Sequence, residues 1–231
     1  FLTRAAFGWL FLWGNNMSVK LPNGAIFSIA SSYENKIEFS EITNANPPVV
    51  TASSHGLAKG DYIELTSGWN RINDRIVRVG EVTDSTFELE GLDTTDTDVY
   101  PEGSGLGSVR KIANWTQIQQ VTDLSTSGGE MQFTTFSFLE DDFDSQLPTT
   151  SSAQSMTLTI GDDPSLPGYV VLRKVSEARN KCAVRFRMSD RSEILYNCYI
   201  SFNETPSTQK GEIMTVTATM SLVKPPIRYA V

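Results

Sequence analysis

The single histidine of the chain, His55, lies six residues before Asp61 in the segment SSHGLAKGDYIEL. An imidazole close to a carboxylate is a minimal arrangement for general acid–base catalysis, because such a pair can take up and return a proton. However, no serine of the chain stands in the setting of an activated nucleophile, and Gly56 and Gly60 separate the two residues. We therefore expect a turn that His55 helps to define, with no proton transfer.

A cluster of carboxylates is the second group of residues that could do chemistry. It comprises Glu140, Asp141, Asp142 and Asp144, with Phe143 among them. Carboxylates can bind Ca²⁺, but this run lacks the alternating ligands and the central glycine of a calcium-binding loop. Two of the acids, Glu140 and Asp144, could alternatively be the paired carboxylates of a glycoside hydrolase. We favour a solvated acidic loop over residues 139–153, which is long enough to be functional.

Basic side chains are concentrated in the segment after this loop. They are Arg173, Lys174, Arg179, Lys181, Arg185, Arg187 and Arg191. The net charge of −8 argues against a protein that grips nucleic acid by neutralising its phosphates. We expect instead that a basic surface contacts the acidic stretch 130–144 of another copy of the chain, head to tail. The residues of this surface are Arg173, Lys174, Arg185 and Arg187.

Motifs for enzymatic chemistry are missing from the sequence. It has no phosphate-binding loop, dinucleotide fingerprint, nucleophile elbow or zinc-protease motif. Cys182 and Cys198 are not at the spacing of zinc ligands and lie in segments of alternating apolar residues, so buried free thiols are expected, with a disulfide left open. We therefore expect no enzymatic activity, no cofactor and no metal.

These residues must be positioned by a mainly β chain. Short β-prone runs between Gly, Asn and Asp clusters predict a meander or small barrel, and the later segments alternate between apolar and polar residues. The predicted strands are 25–31, 35–42, Val49–Thr51, Tyr62–Leu65, Arg75–Val79, Thr86–Leu89, 131–138, 156–160, 182–190, 192–204 and 211–226, and the segment 109–124 also has strand character.

A single helix is predicted near residues 165–181. Ser165 is placed to cap it, and Pro167 suits its first turn. Val171, Val175 and Ala178 share one face at helical spacing.

The chain divides into three parts on composition. The segment 47–110 has more acidic than basic residues and is interpreted as an inserted β-subdomain, with the Gly-rich stretch 102–108 as its exit linker. Residues 17–46 and 111–231 then form the main domain. Residues 1–16 are interpreted as a non-native or leader segment, because Trp13-Gly14 is encoded by a guanine run that suits a ribosome-binding site upstream of Met17.

The order of elements resembles that of the tail tube protein of long-tailed bacteriophages. It is carried by the strand–turn–strand VRFRMSDRSEILYNCYISF, the spacer NETPSTQKGE and the Thr-rich strand IMTVTATMSLVKPP, preceded by MQFTTFSF and SMTLTIGDDP. The segment MSVKLPNGAIFSIAS resembles the N-terminal entry of that family. The module that begins PPVVTASSHGLAKGDYIEL is similar to a small β-module of phage structural proteins. Together these segments cover most of residues 17–231.

The resemblance implies a β-sandwich or barrel with one flanking helix, assembled into stacked hexameric rings that conduct DNA without specific binding. It implies a virion tail protein that assembles in the host bacterial cytoplasm, away from membranes. The implied partners are further copies of the chain and the tail terminator, tape measure and tail tip proteins. The loop 139–153 would order on ring stacking, and an acidic lumen would repel DNA.

A carbohydrate-binding or adhesion module of a virion is the alternative function. It is favoured by the all-β pattern and by aromatic residues at Trp69, Tyr100 and Trp115. Such aromatics pack in cores and turns more often than they serve as sugar platforms.

Overall fold

The computed structural model describes residues 23–230, so the predicted leader 1–16 and the start at Met17 lie outside the described residues. Within residues 23–230 the chain forms fifteen strands and one helix. They are β1 (Ile26–Phe39), β2 (Glu41–Ile42), β3 (Val49–Thr51), β4 (Tyr62–Ser67), β5 (Arg75–Val82), β6 (Thr86–Glu90), β7 (Gly107–Ile118), β8 (Val121–Ser127), β9 (Met131–Phe136), β10 (Ser145–Ser151), β11 (Ser155–Gly161), α1 (Pro167–Ala178), β12 (Cys182–Arg187), β13 (Glu193–Ser207), β14 (Thr215–Leu222) and β15 (Ile227–Tyr229).

Thirteen of these strands form one antiparallel sheet in the order β2-β3-β6-β5-β4-β7-β1-β12-β13-β14-β11-β8, with β15 paired to β13. The predicted mainly β fold with a single helix is confirmed. Apolar residues alternate along β11, where Met156, Leu158 and Ile160 are buried and the threonines between them are not, so the core lies on one face of this strand. Along β5 and β12 consecutive residues are buried, so both faces of the sheet are covered there.

The first strand is longer than predicted. Two separate strands were expected from 25–31 and 35–42, but β1 runs without interruption from Ile26 to Phe39. Its pairing with β7 shifts register at three places between Ala30 and Lys36. These irregularities let one strand continue through a break in the apolar alternation.

The sheet curls so that strands far apart in its order meet. Tyr229, on β15, accepts the Arg78 N–H and donates to Glu90 O, both at 2.9 Å. Asn197, on β13, donates from Nδ2 to Asp74 O at 3.0 Å. The strands from the segment 47–110 are thereby fastened to the C-terminal part of the chain.

Of the two residues predicted at the start of the helix, Pro167 lies where expected and Ser165 does not. Pro167 occupies the first turn, but the residue at the N-cap position is Leu166, without a side-chain cap. The prediction that Ser165 caps the helix is wrong, because its hydroxyl donates to Asp163 Oδ1 at 2.6 Å. The fully buried face also differs from the prediction: it consists of Gly168, Tyr169 and Leu172.

The predicted loop 139–153 is largely a strand. Residues Ser145–Ser151 form β10, which pairs with β9 in a two-stranded hairpin outside the main sheet. Within the hairpin, the turn 137–144 lacks strand structure, as do residues 152–153 at the end of the predicted loop. The loop prediction was wrong for 145–151. The segment is rich in Ser and Thr, and because both faces of the strand are exposed, it lacks the alternation of apolar and polar residues that would indicate a strand.

The segment 47–110 contributes strands to the same sheet as the rest of the chain. Its strand β4 pairs with β7, and β7 continues past residue 110 to Ile118 and pairs with β1. At the other end of the segment, β3 pairs with β2. Whether 47–110 is a separate inserted unit stays a prediction.

Candidate assembly surfaces

The β9–β10 hairpin exposes much apolar surface. Six of the eleven large hydrophobic side chains exposed among the described residues lie on it: Met131, Phe133, Phe138, Leu139, Phe143 and Leu147. From Gly128 to Asp144, Phe136 alone is half-buried, and its ring packs edge-on against Phe138 at 5.7 Å. The apolar residues lie on both faces of the hairpin, because Leu147 pairs with Thr134 and not with Phe133. Exposed apolar surface of this extent marks a contact with another molecule. The hairpin is therefore a candidate interface.

The predicted stacking residues lie in the turn of this hairpin. Asp141 closes the turn, because its carboxylate accepts the Phe138 N–H at 3.1 Å and its own N–H donates to Phe138 O at 3.0 Å. Glu140, Asp142 and Asp144 are exposed and form no ion pair within residues 23–230. We call the turn 137–144 the hairpin tip. It presents apolar side chains among carboxylates that form no ion pair within residues 23–230.

No metal site is evident at these acids. Within residues 23–230, no group of three or more His, Cys, Asp or Glu side chains could hold a metal ion. Glu140 and Asp144, the predicted pair for a glycoside hydrolase, are both exposed on the hairpin tip.

The four residues of the predicted basic surface lie on two elements. Arg173 and Lys174 belong to α1, and Arg185 and Arg187 belong to β12. Arg173 lies 3.3 Å from Glu204 on β13. Lys174 and Arg187 are exposed and form no ion pair in the described part of the chain. That these four residues contact the acidic tip of another copy stays a prediction.

Arg185 belongs to a half-buried aromatic cluster. Its guanidinium lies 4.8 Å from the ring centroid of Trp115 and 5.1 Å from that of Tyr62, and 4.0 Å from the Glu193 carboxylate. Tyr62 also donates its hydroxyl to Glu193, and burial followed by this hydrogen bond raises the pKa of Tyr62. These contacts join β4, β7, β12 and β13, so Arg185 has a structural role inside its own chain.

A groove of about 650 Å³ lies between α1 and the strands β1 and β7. Its apolar lining comes mainly from the helix: Val170, Val171, Val175 and Ala178. Val171 and Val175, predicted to pack on one face, are half-buried here, whereas Ala178 is exposed.

Tyr33 and the buried Cys182 form part of the groove lining. The Tyr33 hydroxyl accepts the Ala183 N–H at 2.9 Å, and the Arg110 guanidinium lies 4.1 Å from its ring centroid. Burial raises the pKa of the Tyr33 hydroxyl, so it stays neutral. The lining is therefore held in place by contacts within the chain.

The outer face of β8, β11, β14 and β13 is covered by hydroxyl side chains. The strand registers form three rows across the four strands. These rows are Ser125–Thr157–Thr219–Ser201, Asp123–Thr159–Thr217–Asn203 and Ser127–Ser155–Ser221–Tyr199. Among these twelve positions only Asp123 is charged. We call this surface the hydroxyl face.

The two edges of this four-stranded region differ. On the side away from β14, β13 pairs with β12 along Glu193–Cys198. Beyond that pairing, the Phe202 N–H donates to Ser176 Oγ of α1 at 3.0 Å, and Pro206 has no N–H. Among the described strands, β8 pairs with β11 alone. An edge with free backbone groups is a template for pairing with another chain.

His55 organises a turn, as predicted. It is buried, its Nδ1 accepts the Leu57 N–H at 3.1 Å, and its Nε2 lies 2.9 Å from Thr83 O. Because a carbonyl can only accept, the proton lies on Nε2. Asp61 also acts in the turn, accepting the Ala58 N–H at 2.8 Å and pairing with Lys111 at 2.7 Å.

The aromatic residues that favoured a sugar-binding module are packed inside the chain. Trp69 is buried and donates its ring N–H to Pro101 O at 2.8 Å. It packs edge-on against Tyr100 at 5.3 Å. Trp115 is half-buried against Tyr62 and Arg185. These contacts are those of core and turn packing.

The sequence interpretation missed the groove and the hydroxyl face. Groove residues Tyr33 and Arg110 are far apart in sequence and have no motif. The hydroxyl face did have a signal: threonines alternate with apolar residues in both TLTI (157–160) and TVTATM (215–220), which places the polar set on one face of neighbouring strands.

Comparisons with known proteins identify a family for this chain. A family model described as phage tail tube protein, TTP, matches residues 67–231. No curated protein matches the chain. Among solved structures, the chain is similar to one from the cryo-EM structure of the anti-feeding prophage (AFP) baseplate, 6-fold symmetrised, at 12% identity and a TM-score of 0.38, covering 52% of this chain and 87% of that one. A likeness at this level carries no argument about fold or function.

Proposed function

The chain belongs to the phage tail tube protein family and is a structural component of the tail, and from this premise we propose that its copies form six-membered rings. The rings stack into a tube that conducts DNA during injection. The main support for this proposal is the β9–β10 hairpin, because its six exposed large apolar side chains mark a surface that binds another protein chain. A second copy of the chain is that partner, and the ring-stacking residues are those of the tip, Glu140 to Asp144.

The edge of β8 supports association within a ring. Within residues 23–230, β8 has no partner on the side away from β11, whereas the corresponding side of β13 is occupied by β12 and α1. Pairing of the β8 edge with a neighbouring copy satisfies these groups and removes an edge that would otherwise aggregate.

The hydroxyl face suits the wall of a DNA conduit. Ser, Thr and Asn side chains offer hydrogen bonds but no positive charge, so they do not hold phosphates by ion pairing. Asp123 is the one charge among the twelve positions of this face. We propose that the hydroxyl face lines the lumen of the tube. The lumen wall is then mainly neutral, whereas the resemblance to the family suggested an acidic wall.

The remaining partners follow from the family. Tail terminator, tape measure and tail tip proteins are proposed to bind the two ends and the lumen of the tube, inside the virion tail. Assembly is proposed to take place in the host bacterial cytoplasm. The one helix of residues 23–230, α1, is too short and too polar to cross a lipid bilayer.

Negative-stain electron microscopy of the concentrated protein tests this proposal. Stacked rings or hollow tubes are expected. A matched variant removes the hairpin by replacing residues 130–152 with two glycines, which is feasible because a Cβ at Gly128 would lie only 1.9 Å from Ala153 O. We expect this variant to keep its β-sheet circular dichroism and to remain monomeric.

Two results would contradict the proposal. If the wild-type protein stays monomeric at high concentration, then tube formation is wrong. If the hairpin-deleted variant still forms tubes, then the hairpin is not the assembly element, and stacking must use another surface.

A further inference from the structure

We infer that the groove between α1 and the strands β1 and β7 accepts the hairpin tip of a second copy of the chain. The inference rests on the proposed tube function and names the surface that the hairpin contacts. None of the residues that line the groove comes from the hairpin of the same chain. Within residues 23–230, the hairpin of the same chain therefore does not occupy the groove.

The first argument is apolar complementarity. The helix side of the groove presents valines, and Val170 at its rim is 50% exposed. The hairpin tip presents Phe138, Leu139 and Phe143, which are all exposed. Pockets that bury ligand-sized groups span about 300–1,000 Å³. The groove, at about 650 Å³, therefore has room for side chains of the tip.

The second argument is charge complementarity. Three cationic residues line the groove, Arg110, Lys174 and Lys181, against the single carboxylate of Glu64. Arg110 is paired with Glu64, and Lys181 is paired with Asp74, so Lys174 is the available cation. The tip carries four carboxylates and no cation. Opposite charges around an apolar centre are typical of specific interfaces, in which they steer association and set register.

The other exposed apolar pair of the chain fits the tip less well. Ile213 and Met214, between β13 and β14, are 68% and 51% exposed. The depression beside Ile213 is lined by Glu212 and polar residues, with no cation. The acidic tip would meet a like charge there, which disfavours the contact.

The groove is also rigid. Tyr33 is fixed by its hydrogen bond from Ala183 and by the stacked Arg110, and Gly168 brings the start of α1 against β7, where a Cβ would lie 2.6 Å from Gln117 O. A preformed site loses less conformational entropy when it is occupied.

Crosslinking between two variants tests the contact. Leu139→Cys and Val170→Cys proteins are mixed and treated with a short bis-maleimide; Cys182 and Cys198 are buried and do not compete. An interchain Leu139→Cys–Val170→Cys crosslink, identified by mass spectrometry, is expected. The matched control replaces Val170→Cys by Ile213→Cys, at a position that is more exposed than Val170, and we expect at least about tenfold less product.

The outcomes separate this inference from the tube proposal. Rings without the crosslink, or equal crosslinking to Ile213→Cys, would overturn the groove contact and leave the tube intact. A crosslink between Leu139→Cys and Val170→Cys without any ring or tube would support the contact and overturn the tube.

Charge reversal provides an independent measurement. Lys174→Glu and Asp142→Lys each place like charges at the contact and are expected to raise the critical concentration for assembly about tenfold. The double variant restores the opposite pair and is expected within about threefold of wild type. If the double variant is as defective as the product of the two single effects, then the two residues do not meet.

Discussion

At the scale of single residues, the ion pair between Arg78 and Glu90 makes stability depend on pH. The Arg78 guanidinium donates to both carboxylate oxygens of Glu90, at 2.6 and 2.7 Å, and also lies over the Tyr229 ring at 4.4 Å. The hydrogen bonds from Arg78 hold the pKa of Glu90 below its ordinary value of 4.5. A carboxylate with a lowered pKa in the folded state stabilises the fold above its ordinary pKa, and this contribution is lost as the pH falls through the lowered value.

We expect Glu90→Gln to remove part of the acid sensitivity of the fold. The side chain of Glu90 is 43% exposed, so solvent screening limits the effect to roughly 0.5–1 kcal/mol at neutral pH. Urea unfolding measured between about pH 6 and pH 3 should show a smaller decrease in the variant than in the wild type. Glu34→Gln, at an exposed site on β1, is the control and should keep the wild-type slope. Parallel curves for Glu90→Gln and wild type would refute the role of the pair.

The two cysteines also behave as buried residues. They face each other as neighbours on β12 and β13, and both are free thiols. Burial raises the pKa of the Cys182 thiol to about 11 and also raises the pKa of Cys198. Since the thiolate is the nucleophile, neither residue reacts readily with maleimides while the chain is folded. The buried free thiols expected from the sequence are confirmed.

At the scale of elements, β15 fastens the curled sheet at one point. The Tyr229 hydroxyl is hydrogen-bonded to the backbone of both β5 and β6, and β15 itself pairs with the start of β13. Burial raises the pKa of this hydroxyl, so it stays a neutral donor and acceptor.

Replacing Tyr229 by Phe should destabilise the whole fold. It leaves the Arg78 N–H and the Glu90 carbonyl without their buried partner, which costs about 1–3 kcal/mol. Tyr199→Phe, at a side chain that is 48% exposed, is the matched control and should change stability by less than about 0.5 kcal/mol. Both values are measured as the free energy of unfolding in urea. Equal effects of the two substitutions would show that the hydroxyl of Tyr229 does not join the elements.

Several elements could be predicted from the sequence because their signals are local. Alternating apolar residues between Gly and Asn turns placed β3 at its observed bounds, and placed β4, β5 and β6 close to theirs. The helix was recognised from its apolar spacing and Pro167. Strand β10 was missed because it has no buried face, and β15 was missed because it depends on pairing with the distant strand β13.

The candidate surfaces were less predictable, because each depends on contacts between distant segments. The acidic tip was found from composition alone, as a run of carboxylates. The basic residues could not be sorted in the same way, because only the structure shows that Arg185 packs against two aromatic rings and that Lys174 lies beside the groove. Position along the chain says little about which charges are already paired within the fold.

At the scale of the whole molecule, the negative charge is unevenly distributed. The net charge of −8 is carried by the hairpin tip and by loops such as 93–98, whereas the hydroxyl face is almost neutral. If this face lines the lumen, passage of DNA depends on the absence of cations from the wall more than on repulsion. The acidic residues are then free to serve contacts between copies.

Labelling of assembled tubes tests the position of the hydroxyl face. Ser125→Cys lies on an exposed position of that face, on β8, and Ser53→Cys is an exposed position in the His55 turn. In the monomer, both should react with a maleimide attached to a large polymer, because both are accessible and the native thiols are buried. In tubes, the large reagent should still modify Ser53→Cys but should modify Ser125→Cys at least about tenfold more slowly, since it enters the lumen only from the ends. A small maleimide, which can enter the tube, should label both positions. Rapid modification of Ser125→Cys by the large reagent in intact tubes would place the hydroxyl face on the outside.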